Sequence, residues 1–436
     1  RVSQEPFWKV PEEIFSNLKV RASYGSLGNG NIDPYSFQEL FKIKQSSLVL
    51  NGIRPQYTGQ PAVIPLGLTW EKSTTLNLGL DFAFLSNRLQ FSGDIYQRKT
   101  TDMFTVGMSL PAVFGTDVPK GNYADLTTKG FELSVSWRDQ FQLASKPFNY
   151  EVRFTLADYQ STIDKYNNPE KKLGDDYYYE GMKVGEIWGY ETEGFFTSQA
   201  DIDSHAKQPY FYAGATAGQW LPGDIKFKDL NGDGVIDYGN NTVDNPGDQK
   251  IIGNSEPRFI YGINLSGDWN NFFVSAFFQG VGKQDWWPGS EASYFWGMYN
   301  RPYNDMPKSH LGNIWTEENP NTYFPRLRGY SSEEPYAELN LKQTRYLQNI
   351  AYIRMKNIQL GYTLPKSFIS KLRMQNAKVY VSGENLWSWS PFYKYSKDLD
   401  VEAVRGSDRD LTEGTSGNGY SYPILKSVSF GLSVTF

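Results

Sequence analysis

The chain has 436 residues, a formal net charge of −5, no cysteine, 21% charged residues and 16% aromatics. The acidic balance leaves no basic surface for nucleic acid, and the absence of cysteine fits an envelope protein that folds without disulfides. A mean hydropathy of −0.54, with no apolar run of about 18 residues, excludes a helical membrane span. The best candidate, Asn271 to Val281, is too short and carries Ser275 and Gln279. A crossing made of strands stays open, because only alternate residues of a membrane barrel meet lipid while its loops and lumen are polar.

From the start of the chain, Arg1 to Lys9 carry no charged-then-apolar signal pattern, which implies a processed start or a fragment. Leu18 to Leu27 is the first strand candidate. The clearest period-2 alternation follows, with Leu76, Leu78, Leu80, Phe82 and Phe84 set against Asn77, Gly79, Asp81 and Ala83. Leu89, Phe91, Gly93 and Ile95 continue it, and Ser86-Asn87 between the two runs supplies a tight hairpin turn. Phe131, Leu133, Val135 and Trp137 pair by the same logic with Tyr150, Val152, Phe154 and Leu156, joined through Asp139 to Phe148.

Further candidates are Phe259 to Trp269, Phe272 to Gln279, Tyr352 to Leu364, Lys378 to Leu386 and Ile424 to Phe436. With less regular segments the total is on the order of twelve strands of roughly ten residues, the length that crosses a bilayer at a tilt. Asp158 to Gly253 and Val281 to Gln348 are long and rich in Gly, Pro, Asn, Asp, Tyr and Trp. Short turns alternating with long loops predict two unequal rims, the long one carrying recognition. One short helix is expected at Lys366 to Leu372, after Pro365. The final strand alternates Val428, Phe430, Leu432, Val434 and Phe436 with Ser429, Gly431, Ser433 and Thr435, as outer-membrane barrels commonly end.

Two loop segments carry chemistry. Asp229, Asn231 and Asp233 offer oxygen ligands at alternate positions, with Gly234 for a tight turn, Val235 for its carbonyl and Asp237 as a direct or water-mediated ligand. That is the spacing of a Ca²⁺ loop, although Asn240 stands where a bidentate Glu is usual, handing the last place to Asp244 or Asp248. The other reading is an Asx-rich turn bonded to its own backbone. The aromatics Trp286, Trp287, Tyr294, Phe295, Trp296 and Tyr299 suit stacking on sugar rings, or else form an interface girdle or a loop core. Trp188, Tyr190, Phe195 and Phe196 are read as loop packing. His205 and His310 lie in loops and are expected to be solvated. With no nucleophile-elbow pattern and no carboxylate pair singled out by spacing, the chain is not read as an enzyme.

The chain resembles the C-terminal half of the SusC-like, RagA-type TonB-dependent outer-membrane transporters. The resemblance is carried in family order by Leu18-Lys-Val-Arg-Ala-Ser-Tyr-Gly-Ser-Leu-Gly-Asn29, Leu68-Thr-Trp-Glu-Lys-Ser-Thr-Thr-Leu-Asn-Leu-Gly-Leu-Asp81 and Gly130-Phe-Glu-Leu. It continues through Gly223-Asp-Ile-Lys-Phe-Lys-Asp-Leu-Asn-Gly-Asp-Gly-Val-Ile-Asp237, Gly253-Asn-Ser-Glu-Pro-Arg-Phe259 and Tyr352-Ile-Arg-Met-Lys-Asn-Ile-Gln-Leu-Gly-Tyr362. It implies an all-β transmembrane antiparallel barrel, with residues 1–436 forming about the last twelve strands of an expected total of about 22. The plug and first barrel half are then expected outside this chain. It also implies import of a glycan or peptide, energised through TonB, with a SusD-like surface lipoprotein as lid and outer-membrane lipid around the wall. Two other readings are a passive porin or structural barrel, which requires closure by these strands alone, and a soluble glycan-binding β-protein, which the apolar alternation disfavours.

Overall fold

The computed structural model describes residues 1–436 apart from 12, 31–34, 36–37, 60, 62, 65–66, 108–112, 114–117, 175–176, 209–218, 291, 302, 334–336 and 405–421. Its main sheet has ten strands: β1 (Phe15–Asn29), β2 (Glu71–Phe84), β3 (Leu89–Val106), β4 (Lys120–Leu143), β5 (Lys146–Lys165), β6 (Arg258–Trp269), β7 (Phe272–Lys283), β8 (Tyr352–Thr363), β9 (Asn376–Trp389) and β10 (Ser427–Thr435). They pair in chain order, each antiparallel to the next. Among the described residues the sheet is open: β1 and β10 each have one neighbour, so these ten strands do not close a small barrel by themselves.

Turn chemistry sets one rim. Ala144 and Ser145 (φ 48° and 62°) join β4 to β5, and Asn270 and Asn271 (φ 48° and 71°) join β6 to β7. Two consecutive left-handed residues give the turn whose twist suits a hairpin, and asparagine adopts them at low cost. Leu85, Ser86 and Asn87 turn β2 into β3 with φ of 54°, 53° and 66°. Pro365 starts the expected helix at Lys366–Ile369, which continues as a 3-10 turn at Ser370–Leu372. Every long connection lies at the opposite rim, so the two unequal rims are present.

Three expectations need correction. The sheet holds ten strands rather than about twelve, because the remaining short strands pair two by two within the long loops. Strand lengths run from 9 to 24 residues, since β4 and β5 stay paired well past one bilayer crossing. Their joint is also tighter than Asp139 to Phe148, as pairing continues to Leu143 opposite Lys146.

Register carries the alternation from strand to strand. Val20 lies beside Leu80, Leu80 beside Gly93, Gly93 beside Leu133, Leu133 beside Leu156, and Leu156 beside Tyr261. Across the second half Val274 meets Leu360, Leu360 meets Val381 and Val381 meets Phe430. Paired residues share a face, so one surface is a continuous apolar belt. Leu78 is 47% exposed on that belt and Phe430 87%. Leaving such side chains in water forfeits roughly 1.5–3 kcal/mol each, so the belt is a lipid-facing surface. At the short-turn rim it ends in aromatic pairs, Phe15 with Phe84 at 4.4 Å, Phe82 stacked on Phe91 at 4.3 Å, and Phe272 against Tyr362 at 4.7 Å. Amphipathic and aromatic rings favour this depth, so an interface girdle is present here.

The other face is polar. Arg21 reaches from β1 across β2, its Nε donating to Asp81 Oδ2 at 2.9 Å and its Nη1 to Asp94 Oδ1 at 2.7 Å. The guanidinium lies over Gly79, where a Cβ would stand 2.6 Å from Arg21 Cζ. The glycine of the Asn-Leu-Gly-Leu-Asp run therefore makes room for an ion cluster that clips three strands together. Glycines also sit under rings: Cβ atoms at Gly361 and Gly431 would stand 2.2 Å from Phe273 and 2.1 Å from Tyr380.

Candidate functional site

The long-loop rim is a packed unit. Within residues 166–257, Glu186–Tyr190 pairs with Gln249–Asn254, and Thr192–Phe195 with Ile225–Phe227. These short ladders hold Tyr190, Ile225 and Phe227 against Trp286, Phe295, Trp296, Tyr299, Phe324 and Tyr346 of residues 284–351, and against Phe392, Leu399 and Val401. One apolar core thus joins three loops, which stiffens a surface that loop length alone would leave mobile.

Trp286 is 7% exposed, and Trp296 and Tyr299 are fully buried. Trp296 Nε1 donates to the Gly289 carbonyl at 3.0 Å, and Tyr299 hydroxyl donates to the Pro325 carbonyl. Their faces are covered by Phe295, Tyr346 and Phe324, with ring centroids 4.8–5.8 Å apart. The sugar-stacking expectation is therefore corrected for these three: burial leaves them no ring face to offer, and they form the loop core. Trp287 is half-buried against that core, and Tyr294, 54% exposed, points a ring outward. Tyr190 and Phe196 are buried, as the packing reading expected.

The histidines are also corrected. His310 is fully buried, its ring 4.1 Å from Phe324 and its Nε2 2.9 Å from the Phe295 carbonyl. Burial lowers its pKa, favouring the neutral ring. His205 is half-buried with Nε2 2.8 Å from the Phe227 carbonyl.

Asp229 accepts from the Gly234 N–H at 2.9 Å and the Gly232 N–H at 2.6 Å. Asn231 Oδ1 accepts from Asp233 N–H, Asp233 Oδ1 from Val235 N–H, and Asp237 Oδ1 from Gly239 N–H, at 2.7–2.9 Å. Asp248 closes the turn, accepting from Leu230 N–H at 2.7 Å and Asp237 N–H at 2.8 Å. Gly232 and Gly234 take φ of 77° and 83°, which a side chain would strain. The Gly234 and Gly232 N–H groups hold the Asp229 carboxyl below its ordinary pKa. The Asx bonding is thus complete, and among the described residues no three His, Asp or Glu side chains converge at metal-binding distance.

Sequence reasoning missed a buried charge cluster. Asp224 is fully buried and accepts from Arg326 Nε at 2.6 Å, Arg328 Nε at 2.8 Å and the Leu221 N–H at 2.7 Å. Beside it Glu338, also fully buried, accepts from the Ile225 N–H at 2.9 Å through Oε2. Its Oε1 has no hydrogen-bond partner among the described residues. Burial, reinforced by the Asp224 charge, pushes the Glu338 pKa up to about 8. The quoted Gly223-Asp-Ile-Lys-Phe stretch was the available signal: Gly223 has φ 91°, and a Cβ there would stand 2.3 Å from the Trp315 ring.

A polar-lined, apolar-belted antiparallel wall with folded loops at one rim defines an outer-membrane β-barrel protein. The chain belongs to the TonB dependent receptor-like, beta-barrel family, which matches residues 8–231. It is 28% identical over 457 residues to TonB-dependent receptor P3 of Formosa agariphila, covering 100% of this chain and 41% of that protein. It is 24% identical to TonB-dependent receptor SusC of Bacteroides thetaiotaomicron, covering 98% of this chain and 39% of the relative. The chain therefore spans about two fifths of the curated relatives it matches. In fold it is similar to the RagAB peptide transporter, with TM-score 0.71 and 19% identity over 100% of this chain and 42% of that one. Its relatives are named receptors, and it localises with them to the outer membrane.

Proposed function

We propose that the whole protein imports an oligosaccharide across the outer membrane, energised through TonB and capped by a SusD-like lipoprotein. Membership of the family supports the energised mechanism, and the packed long-loop rim supports capture at one face. The observation that favours a protein lid is the hairpin Lys42–Gln45 with Gln56–Gly59, in the β1–β2 loop. It exposes Phe41 at 69%, Ile43 at 73% and Ile53 at 69%, far more apolar surface than a solvated tip sustains. Lys42, Lys44 and Arg54 flank it, so the complementary surface is apolar with an acidic border.

The test is a pull-down from native membranes using the full-length transporter with Ile43→Asp and Ile53→Asp. We expect the lipoprotein to be lost and uptake to fall, with the barrel still heat-resistant in detergent; full retention of the lipoprotein removes this hairpin from the lid interface. A peptide cargo is the second reading, favoured by the name of the RagAB transporter. Binding panels of oligosaccharides and peptides on the purified complex separate the two.

We propose further that the oxygens of Asp229, Asn231 and Asp233, with Val235 and Asp237, take a structural Ca²⁺ through lone pairs left over from their turn bonds. Hydrogen exchange of amides 229–248 is expected to slow on adding Ca²⁺ and to recover with chelator. Identical exchange in both conditions leaves the Asx turn as the full account.

A further inference from the structure

Toward the long-loop rim, the apolar alternation on β2, β3 and β4 stops and a lysine follows on the same face of each strand. Lys72 comes four residues beyond Leu76, Lys99 four beyond Ile95, and Lys129 two beyond Phe131. Register fixes their direction. Leu78 pairs with Ile95 and Thr74 with Lys99, Ile95 with Phe131 and Gln97 with Lys129, with no shift between these pairs. Each lysine is an even number of residues from a belt residue, so all three project from the lipid-facing side, and all three are exposed. One strand and two residues separate each from the next, a step of about 8 Å, which makes a diagonal line of about 16 Å.

The upper edge of the belt descends the same way: Leu76 is opposite Gln97, and Phe131 is opposite Asp158. In a tilted barrel wall such a diagonal runs level with the membrane. A ring marks the same height independently. Gly28 of β1 pairs with Lys72, and a Cβ at Gly28 would stand 3.5 Å from the ring of Trp70, which is 70% exposed. An indole on the outer face beside the belt edge marks the membrane–water boundary, where basic clusters attract anionic lipid. Asp158, the outward acid next along the line, is already held by Arg258 Nε and Nη2 at 2.6 Å each. Asp164, six residues further along β5, accepts from the Thr127 hydroxyl.

Below Lys99 the belt has a notch. Gly93 carries no side chain in the outward row between Leu80 and Leu133, and Leu78, Phe91, Ile95 and Phe131 surround it to form an apolar groove of about 500 Å³. Cations and groove therefore lie on the same three strands, one above the other.

We propose that this wall binds a phosphorylated glycolipid of the outer leaflet, with phosphates on Lys72, Lys99 and Lys129 and one acyl chain in the Gly93 groove. The long-loop rim of an outer-membrane barrel is the extracellular one, which puts the lysines in the outer leaflet. A cation line of about 16 Å suits two phosphates held apart by a sugar unit better than the single phosphate of a phospholipid. The site depends on the lipid-facing wall and not on which cargo is carried.

The test uses the full-length transporter in phosphatidylcholine nanodiscs, alone or doped with lipid A or phosphatidylglycerol, read by native mass spectrometry and thermal melting. Wild type is expected to retain lipid A in preference to phosphatidylglycerol and to melt higher in its presence. The Lys72→Ala, Lys99→Ala, Lys129→Ala triple variant is expected to bind lipid A about a hundredfold more weakly, about fivefold per lysine. The matching triple arginine variant should recover binding, which separates lost charge from lost structure. Gly93→Leu, which fills the groove from its floor, should weaken retention with all three lysines in place. Equal retention by the alanine variant, unchanged retention by Gly93→Leu, or phosphatidylglycerol held as tightly as lipid A each overturns the proposal.

Discussion

Replacing Asp224 with alanine is expected to open the rim core while leaving the barrel wall intact. The carboxylate lies 102 and 104 residues from the arginines it neutralises, so it is a tie between two loops rather than a local turn. Arg328 retains only 4% side-chain exposure, and without Asp224 its charge stays buried close enough to Glu338 for the two to interact. Breaking a buried ion pair from one side costs about 3–5 kcal/mol, more than most single contacts in a loop contribute. Because the wall is stabilised independently by its ladders, the loss should appear locally. Limited proteolysis and hydrogen exchange should report faster opening in residues 284–351, with unchanged heat-resistant migration. An unchanged exchange pattern would show that the apolar core holds the loops without the tie.

Glu338 predicts a pH dependence of the same unit. Its ordinary pKa of 4.5 is pushed to about 8 in the folded rim, so between those values the folded state binds a proton that the unfolded segment releases. Stability from this group is complete below about pH 4.5, falls as pH rises toward 8 and is flat beyond, at up to about 1.4 kcal/mol per unit. Glu338→Gln keeps a carbonyl for the Ile225 N–H and removes the titration. Between pH 5 and pH 8 the wild-type rim should therefore open increasingly often while the variant stays constant, by hydrogen exchange corrected for intrinsic rates. Parallel profiles for the two proteins would place Glu338 outside the linkage.

The wall was legible because a period of two assigns each residue to a face one at a time. Leu76 to Phe84 needed no partner to be read, and register then extended the same face across the sheet. The register shifts between Phe277 and Phe278, and between Met355 and Asn357, were not legible, since they depend on what the neighbouring strand does. The rim failed for a different reason. Trp296 and Tyr299 have the same chemistry whether they face sugar or one another, and only the fold decides which. His310 looked solvated because its loop is polar, yet its ring fills a gap beside Phe324. The Asp224, Arg326, Arg328 and Glu338 cluster has no spacing signature, as its members meet only after two long loops dock.

The glycines beneath rings give the wall a means of detecting its own assembly errors. Phe273 lies flat because Gly361 is its neighbour in the correct register, and Tyr380 does the same over Gly431. A slip of one residue would bring Leu360 or Tyr362 opposite Phe273, and Leu432 or Phe430 opposite Tyr380, with no free space for either ring. Misaligned hairpins are thereby penalised sterically at the moment each strand is added. Proofreading of this kind is written into the chain itself, ahead of any pressure from cargo or partner.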